Sequence, residues 1–259
     1  DVDRLEQQDF VATKRIEGVE QRSTVMEGDL VTLGAKLPDL LAEAQPSVYL
    51  VIHRGEEGGE TAFGTAFVVG TDALATNAHI AEHFERLGDG EALLLRSPVI
   101  EGSTSTDIAV NAVSLHPGYG AFAELWKGYV PARLNAANRL DKVRSAGTAC
   151  DIAILHVTPE TPLPPALPIA GAPSHAEMAA GQALGSIGFP MEGMALEGAN
   201  LKSPVPQTQI GRITSLTTFF NTSADESTAG PGQRNMLIQH SIPGTGGASG
   251  SPILNGRGE

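Results

Sequence analysis

The apolar positions of the chain change period once, near residue 45. From Leu5 to Leu40 they fall on a seam built from steps of three and four: Leu5, Ala12, Ile16, Val19, Met26, Leu30, Leu33, Leu37 and Leu40. Acidic, basic and Gln residues fill the positions between, which predicts a helix with a single apolar stripe. Asp9 and Ser23 sit on the stripe, and Gly28, Gly34 and Pro38 weaken it. The expectation is a helical arm over 1–44, broken before Pro38, that either self-associates as a coiled coil or lies on the domain as an amphipathic helix. Beyond Gln45-Pro46 the texture is short β-branched runs bounded by Gly, Asn, Asp and Pro. They are SVYLVIH (47–53), GTAFVVG (64–70), ALATNAHI (73–80), ALLLRS (92–97), IAVNAVSLH (108–116), DIAILHV (151–157), ALGSIGFP (183–190), IGRITSLTTFF (210–220) and NMLIQHSI (235–242). Short strands at such spacing predict an all-β domain over 45–259, a sandwich or barrel. Residues 121–149 interrupt the pattern as a helical insertion, and 221–233 read as an exposed, mobile loop.

Composition narrows the function classes. A formal net charge of -13 argues against a nucleic-acid surface and against docking on acidic lipid. No stretch is apolar for long enough to span a membrane. The chain begins with Asp1 rather than Met, so it reads as a processed or trimmed piece whose targeting segment, if any, is not legible. Cys150 is the only cysteine, which excludes an internal disulfide and is compatible with cytoplasm and periplasm alike.

Chemistry concentrates in the segment SIPGTGGASGSPIL (241–254). Its glycines are not a linker repeat, because an apolar run precedes them and Pro252-Ile253-Leu254 comes at once after them. A serine hydroxyl needs an adjacent base, the base needs an orienting carboxylate, and the developing oxyanion needs backbone N–H donors. Ser249 is the candidate nucleophile, with the N–H groups of Gly247 and Ser249 as candidate donors. Ser251 is its rival, but it precedes Pro252 and is held extended. Among seven histidines, His79 in TNAHI follows an apolar run and leads into a helical turn, which suits a base; His83 is one turn further on. Two near-copies compete for the carboxylate. Asp151 opens the continuous apolar run Ile152-Ala153-Ile154-Leu155, whereas Asp107 follows a polar stretch and leads into a strand interrupted by Asn111. Asp151 is therefore preferred. The bland alternatives are a structural loop histidine and strand-initiating aspartates that cap turns.

In the order TNAHI, CDIAIL, GGASGSP, the chain resembles the trypsin-like serine proteases of chymotrypsin fold, nearest to the bacterial Deg/HtrA group, over about residues 37–259. The step PSV after a short helix (LPDLLAEAQPSVYLVI) adds to the likeness. The resemblance implies two antiparallel six-stranded β-barrels with His79 as base, Asp151 as its orienter and Ser249 as nucleophile in the cleft between them. It implies an oxyanion hole of the Gly247 and Ser249 amides, a protein or peptide substrate, and neither cofactor nor metal. Ala248 stands where many relatives carry an Asp that pairs with a new N-terminus, so activation by that ion pair is not expected. Pro243 stands where members selective for Arg and Lys place an acidic group. The pocket stretch Pro243, Gly244, Thr245 and Gly246 therefore predicts a small or apolar P1 side chain. SPIL and the turn signal NG lead to a chain end at Glu259, before the strands that would complete the second barrel in this family, so that barrel is expected to be incomplete. An alternative from another class is a catalytically degenerate protease fold that binds or scaffolds partners through its arm, residues 1–40, which also makes a homo-oligomer an expectation. An esterase is disfavoured because its nucleophile elbow needs a strand-turn-helix context, and Pro252-Ile253-Leu254 reads as a strand.

Overall fold

A computed structural model describes residues 36–120, 150–191, 201–218 and 236–259. The expected insertion at 121–149, the loop at 221–233 and the arm up to residue 35 lie outside the described residues.

Alternation along the strands determines which faces pack. β1 (Val48–Arg54), β2 (Glu60–Val68), β3 (Ala73–Thr76), β4 (Ala92–Arg96), β5 (Asp107–Leu115) and β6 (Ala153–Val157) close a barrel in the order β1-β2-β3-β6-β5-β4. Tyr49 and Val51 of β1 point into its interior with Ala66, Val68, Leu74, Leu93, Leu95, Ala153 and Leu155. The intervening Val48, Leu50 and Ile52 face outward into a second core. Because both faces of β1 are covered, its sequence is a continuous apolar run rather than an alternating one.

The second core joins the barrel to a second sheet. β7 (Ala183–Gly188), β8 (Gln207–Thr218), β9 (Met236–His240) and β10 (Ile253–Leu254) pair antiparallel in the order β10-β7-β8-β9, and among the described residues this sheet is not closed. A helix over 36–44, here α1, places Leu37, Leu41 and Ala44 against Val48, Leu50, Ile52, Ile187, Phe189 and Leu254. Their spacing is the stripe of one helical face, and it wedges α1 between β1 and β7. Pro38 stands inside the helix; its missing N–H removes no hydrogen bond between residues of 36–44.

Two strands differ from the pattern reading. β2 begins at Glu60, before the apolar run, because Glu60 and Thr61 pair with Arg54 and His53 of β1. β5 continues through Asn111 by a shift of register between Val110 and Ala112, and the Asn111 amide donates to the Thr158 hydroxyl at 2.7 Å. A polar residue at a bulge can leave the ladder without ending the strand.

At one edge of the barrel the registers Arg54↔Glu60 and Arg96↔Asp107 bring four charges together. The Arg96 side chain is only 7% exposed. Its Nε donates to Asp107 Oδ1 at 2.6 Å, its Nη1 to Glu60 Oε2 at 2.8 Å and its Nη2 to Asp107 Oδ2 at 2.7 Å. Arg54 Nη2 donates to both carboxylates at 2.8 Å. Hydrogen bonds from Arg96 and then Arg54 hold the Glu60 carboxyl at about 2, against an ordinary 4.5, and the Arg96 bond lowers Asp107 in the same way. A depressed carboxyl stabilises the fold in full above its unfolded pKa and loses that contribution as pH falls through the folded one. Urea midpoints are therefore expected to drop as pH falls from 4.5 toward about 2. Arg96→Met is expected to flatten that drop and to cost on the order of 1 kcal/mol at neutral pH, because it leaves two partly exposed carboxylates with Arg54 as their remaining partner. An unchanged acid slope in that variant would exclude Arg96 as its source.

Candidate active site

The pairing of β3 with β6 sets the first two site residues side by side. Thr76 pairs with Ala153 in an antiparallel register, so the residues leaving β3 run beside those entering β6. The Asn77 amide donates to the Asp151 carbonyl at 2.8 Å and locks this crossing. Asn77 is also the N-terminal cap residue of a single-turn helix, α2 (Ala78–Ala81). The first N–H groups of a helix lack partners within it. Here the Asp151 carboxylate supplies one, with Oδ1 accepting from the His79 N–H at 2.9 Å. Its other oxygen, Oδ2, lies 2.7 Å from His79 Nδ1.

One carboxylate thus caps the turn and grips the ring. Burial pushes the Asp151 carboxyl up, but the His79 side chain, the His79 N–H and the Ala78 N–H together carry it below its ordinary value. An ionised carboxylate only accepts hydrogen bonds, so Nδ1 is the donor and Nε2 of the neutral ring is left with its lone pair. The His79 side chain is 46% exposed and Asp151 19%, so the ring is open to solvent while its carboxylate partner is shielded. Beneath the turn, the buried Tyr119 hydroxyl donates to Glu82 Oε2 at 3.1 Å. Burial and then this bond push the phenol up to about 12.

The third residue, Ser249, lies in the turn between β9 and β10. The Ala248 N–H donates to the Thr245 carbonyl at 3.1 Å and the Ser251 N–H to the Ala248 carbonyl at 3.0 Å. The N–H groups of Gly247 and Ser249, on either side of Ala248, have no acceptor among the described residues. Gly247 and Gly250 hold φ of +85° and +84°, the left-handed region that side chains resist. At Gly250 a Cβ would lie 2.0 Å from the Thr65 carbonyl oxygen and 2.3 Å from Thr76 Oγ1. The turn is thereby pressed against β2 and the end of β3, three residues before His79. Among the described residues no hydrogen bond joins the Ser249 hydroxyl to His79.

The rivals occupy other surroundings. The Ser251 hydroxyl is fully buried with no partner among the described residues, and a Cβ on Gly188 would overlap it. Asp107 belongs to the arginine cluster at the barrel edge. His83 packs against Phe63 with ring centroids 4.6 Å apart and the planes tilted by 53°, and burial lowers its pKa. His53 faces Glu91 at 3.5 Å, His156 meets the Ser114 hydroxyl at 2.9 Å and His116 accepts from the Gly118 N–H at 3.0 Å. Within the expected pocket stretch, Pro243, Gly244 and Gly246 are exposed and Thr245 is half-buried. The Gly246 carbonyl accepts from the Met191 N–H at 2.7 Å, which ties this stretch to the end of β7.

A family model for the trypsin-like peptidase domain matches residues 64–259, a span that contains His79, Asp151 and Ser249. The chain belongs to the trypsin-like peptidase family. No curated protein matches it. Solved structures similar to this peptidase domain include the active form of the Rv3671c protease from M. tuberculosis, 19% identical with a TM-score of 0.46 over 85% of this chain and 70% of that one. The VesB protease of Vibrio cholerae is 18% identical, with a TM-score of 0.46 over 83% of this chain and 54% of its own. Human heparin binding protein is 13% identical, with a TM-score of 0.45 over 82% and 76%.

Sequence reasoning missed the residues that support the site: Asn77, Tyr119 and, above all, Thr65 and Thr76. Asn77 had a local signal, a polar residue just before a helical turn; the others had none. The tight seat of Gly250 gives a direct test. Gly250→Ala combines a disfavoured φ with a backbone clash and is expected to cost at least about 2 kcal/mol in urea unfolding. Gly244→Ala, where a Cβ meets nothing within 4 Å, is expected to stay within about 0.5 kcal/mol. Equal costs would mean that the turn is not pressed against β2.

Proposed function

We propose that the chain is a serine endopeptidase working through an acyl-enzyme. Ser249 Oγ attacks the scissile carbonyl carbon while His79 Nε2 takes its proton. The Gly247 and Ser249 N–H groups receive the oxyanion. As the C–N bond breaks, His79 returns the proton to the leaving amine; water then repeats the sequence in reverse and frees the acid. Asp151 keeps the proton on Nδ1 and the ring in place. The observation that carries this reading is the two-point grip of Asp151 on His79, through Nδ1 and through the backbone N–H. A merely structural histidine needs no carboxylate aligned with its ring nitrogen.

Membership of the peptidase family supports a protein or peptide as substrate. Among the described residues no helix is long and apolar enough to cross a membrane. With Pro243 in place of an acidic group, we assign the P1 site a small or apolar side chain. Assembly through residues 1–40 remains a proposal of the sequence pattern.

Ser249→Ala is expected to reduce peptide cleavage on the order of a million-fold, and to abolish labelling by a fluorophosphonate that modifies the unaltered chain at one serine. Asp151→Asn is expected to lower turnover about ten-thousand-fold by freeing the ring to adopt the other tautomer. Asp107→Asn and His83→Gln should leave turnover per folded molecule near normal. Near-normal cleavage by the Ser249→Ala variant would end this reading, and a chain that binds peptide without being labelled would favour the scaffold instead.

A further inference from the structure

Thr65, in the middle of β2, is fully buried and belongs to none of the groups assigned a chemical role in the proposed reaction. Its N–H donates to the Ser249 carbonyl at 2.8 Å. Its hydroxyl donates to the Gly247 carbonyl at 3.0 Å and accepts from the Phe189 N–H at 3.1 Å, just beyond β7. Its carbonyl accepts from the Thr76 hydroxyl at 2.7 Å, at the end of β3. Every polar atom of the residue is used, and the bonds reach the Ser249 turn, the end of β7 and the end of β3.

Thr65 holds the carbonyls of the two residues whose N–H groups are the proposed oxyanion donors, that of Gly247 through its hydroxyl and that of Ser249 through its N–H. Rotating the Gly247 or Ser249 carbonyl would swing the neighbouring peptide planes, because the peptide unit is planar. An apolar side chain at 65 could bury this turn equally well and would keep the N–H bond to Ser249, but it could not set the rotation of the Gly247 carbonyl. A hydroxyl that both donates and accepts can, and only Ser or Thr supplies one without a longer side chain. We infer that Thr65 is a positioning residue: through its hydroxyl it sets the orientation of the Gly247 carbonyl and so of the backbone leading to Ser249, and with Thr76 it ties that backbone to the strand leading to His79. This inference rests on the serine-peptidase reading.

A group that aligns oxyanion donors acts on the transition state and leaves substrate binding nearly untouched. Full-chain protein is compared as wild type, Thr65→Val, Thr65→Ser, Thr76→Val and Ser249→Ala. Fluorophosphonate labelling rate, peptide kcat and KM, the pH profile and the thermal midpoint are read for each, with rates expressed per folded molecule. Thr65→Val is expected to lower both kcat and labelling rate on the order of a hundred-fold, with KM and the pH profile little changed. Thr65→Ser is expected to keep both within about three-fold, since it retains the hydroxyl. Thr76→Val, the second probe should Thr65→Val not fold, is expected to slow labelling about ten-fold. A structural role alone would lower midpoints and leave the per-molecule rates intact.

If Ser249→Ala is unlabelled while the folded valine variants react as fast as wild type, the inference about Thr65 is wrong and the serine reading stands. If the wild-type chain itself is not labelled, both are overturned.

Discussion

Where the turn around Ser249 meets β2, backbone lies directly on backbone. A Cβ at Gly250 would overlap the Thr65 carbonyl, and one at Gly247 would come within 2.5 Å of the Phe189 carbonyl oxygen. Water has no room between surfaces this close, so each peptide N–H and carbonyl at the contact needs a partner in the protein. Thr65 and Thr76 provide those partners, and the two glycines let the chain come near enough to use them. A residue with a side chain at either glycine would push the turn outward and leave buried polar groups unpaired. The same closeness that makes the contact demanding is what locates Ser249 relative to β3, and through β3 relative to His79.

This arrangement divides the labour unequally between the two halves of the domain. His79 and Asp151 are held by the closed barrel, whose interior is filled from all six strands. The sheet that carries Ser249 is open, and its own small cluster contains only Leu184, Ile213 and Ile242 as buried members among the described residues. β10 pairs with β7 through Ile253 and Leu254 alone. The hydrogen bonds to the Gly247 and Ser249 carbonyls come from β2 of the barrel. The proposed nucleophile is thus registered against His79 and Asp151 by the better-packed half.

Much of this was legible in the sequence, for identifiable reasons. Short β-branched runs bounded by Gly, Asn, Asp and Pro announced most of the strands. Gly-Gly-Ala-Ser-Gly-Ser-Pro announced a constrained turn, since the left-handed positions at 247 and 250 leave their mark as glycine. Asp151 and Asp107, near-copies in sequence, are distinguished by the strands they open. Asp151 leads into β6 beside the end of β3, while Asp107 faces Arg96 across β4 and β5. The arginine cluster itself was not legible, as Glu60 lies in a polar stretch that only pairing with Arg54 turns into strand. Thr65 left no trace for the same kind of reason: its hydroxyl partners are 182 and 124 residues away, and a threonine in a strand needs no explanation beyond β propensity.

The helical turn bearing His79 shows how folding and function share one interaction. A single-turn helix has little stability of its own, since nucleation fixes several dihedrals for one hydrogen bond. The Asp151 carboxylate offsets that cost by accepting from the first N–H groups of the turn, and the partial positive charge there favours an ionised acid. The same carboxylate then has its second oxygen aligned with the ring. Forming the turn and orienting the imidazole are therefore one event, complete before any substrate arrives. If His79 is the base proposed above, it does not have to be ordered during reaction, and that preorganisation is where an electrostatic site gains over the same groups free in water.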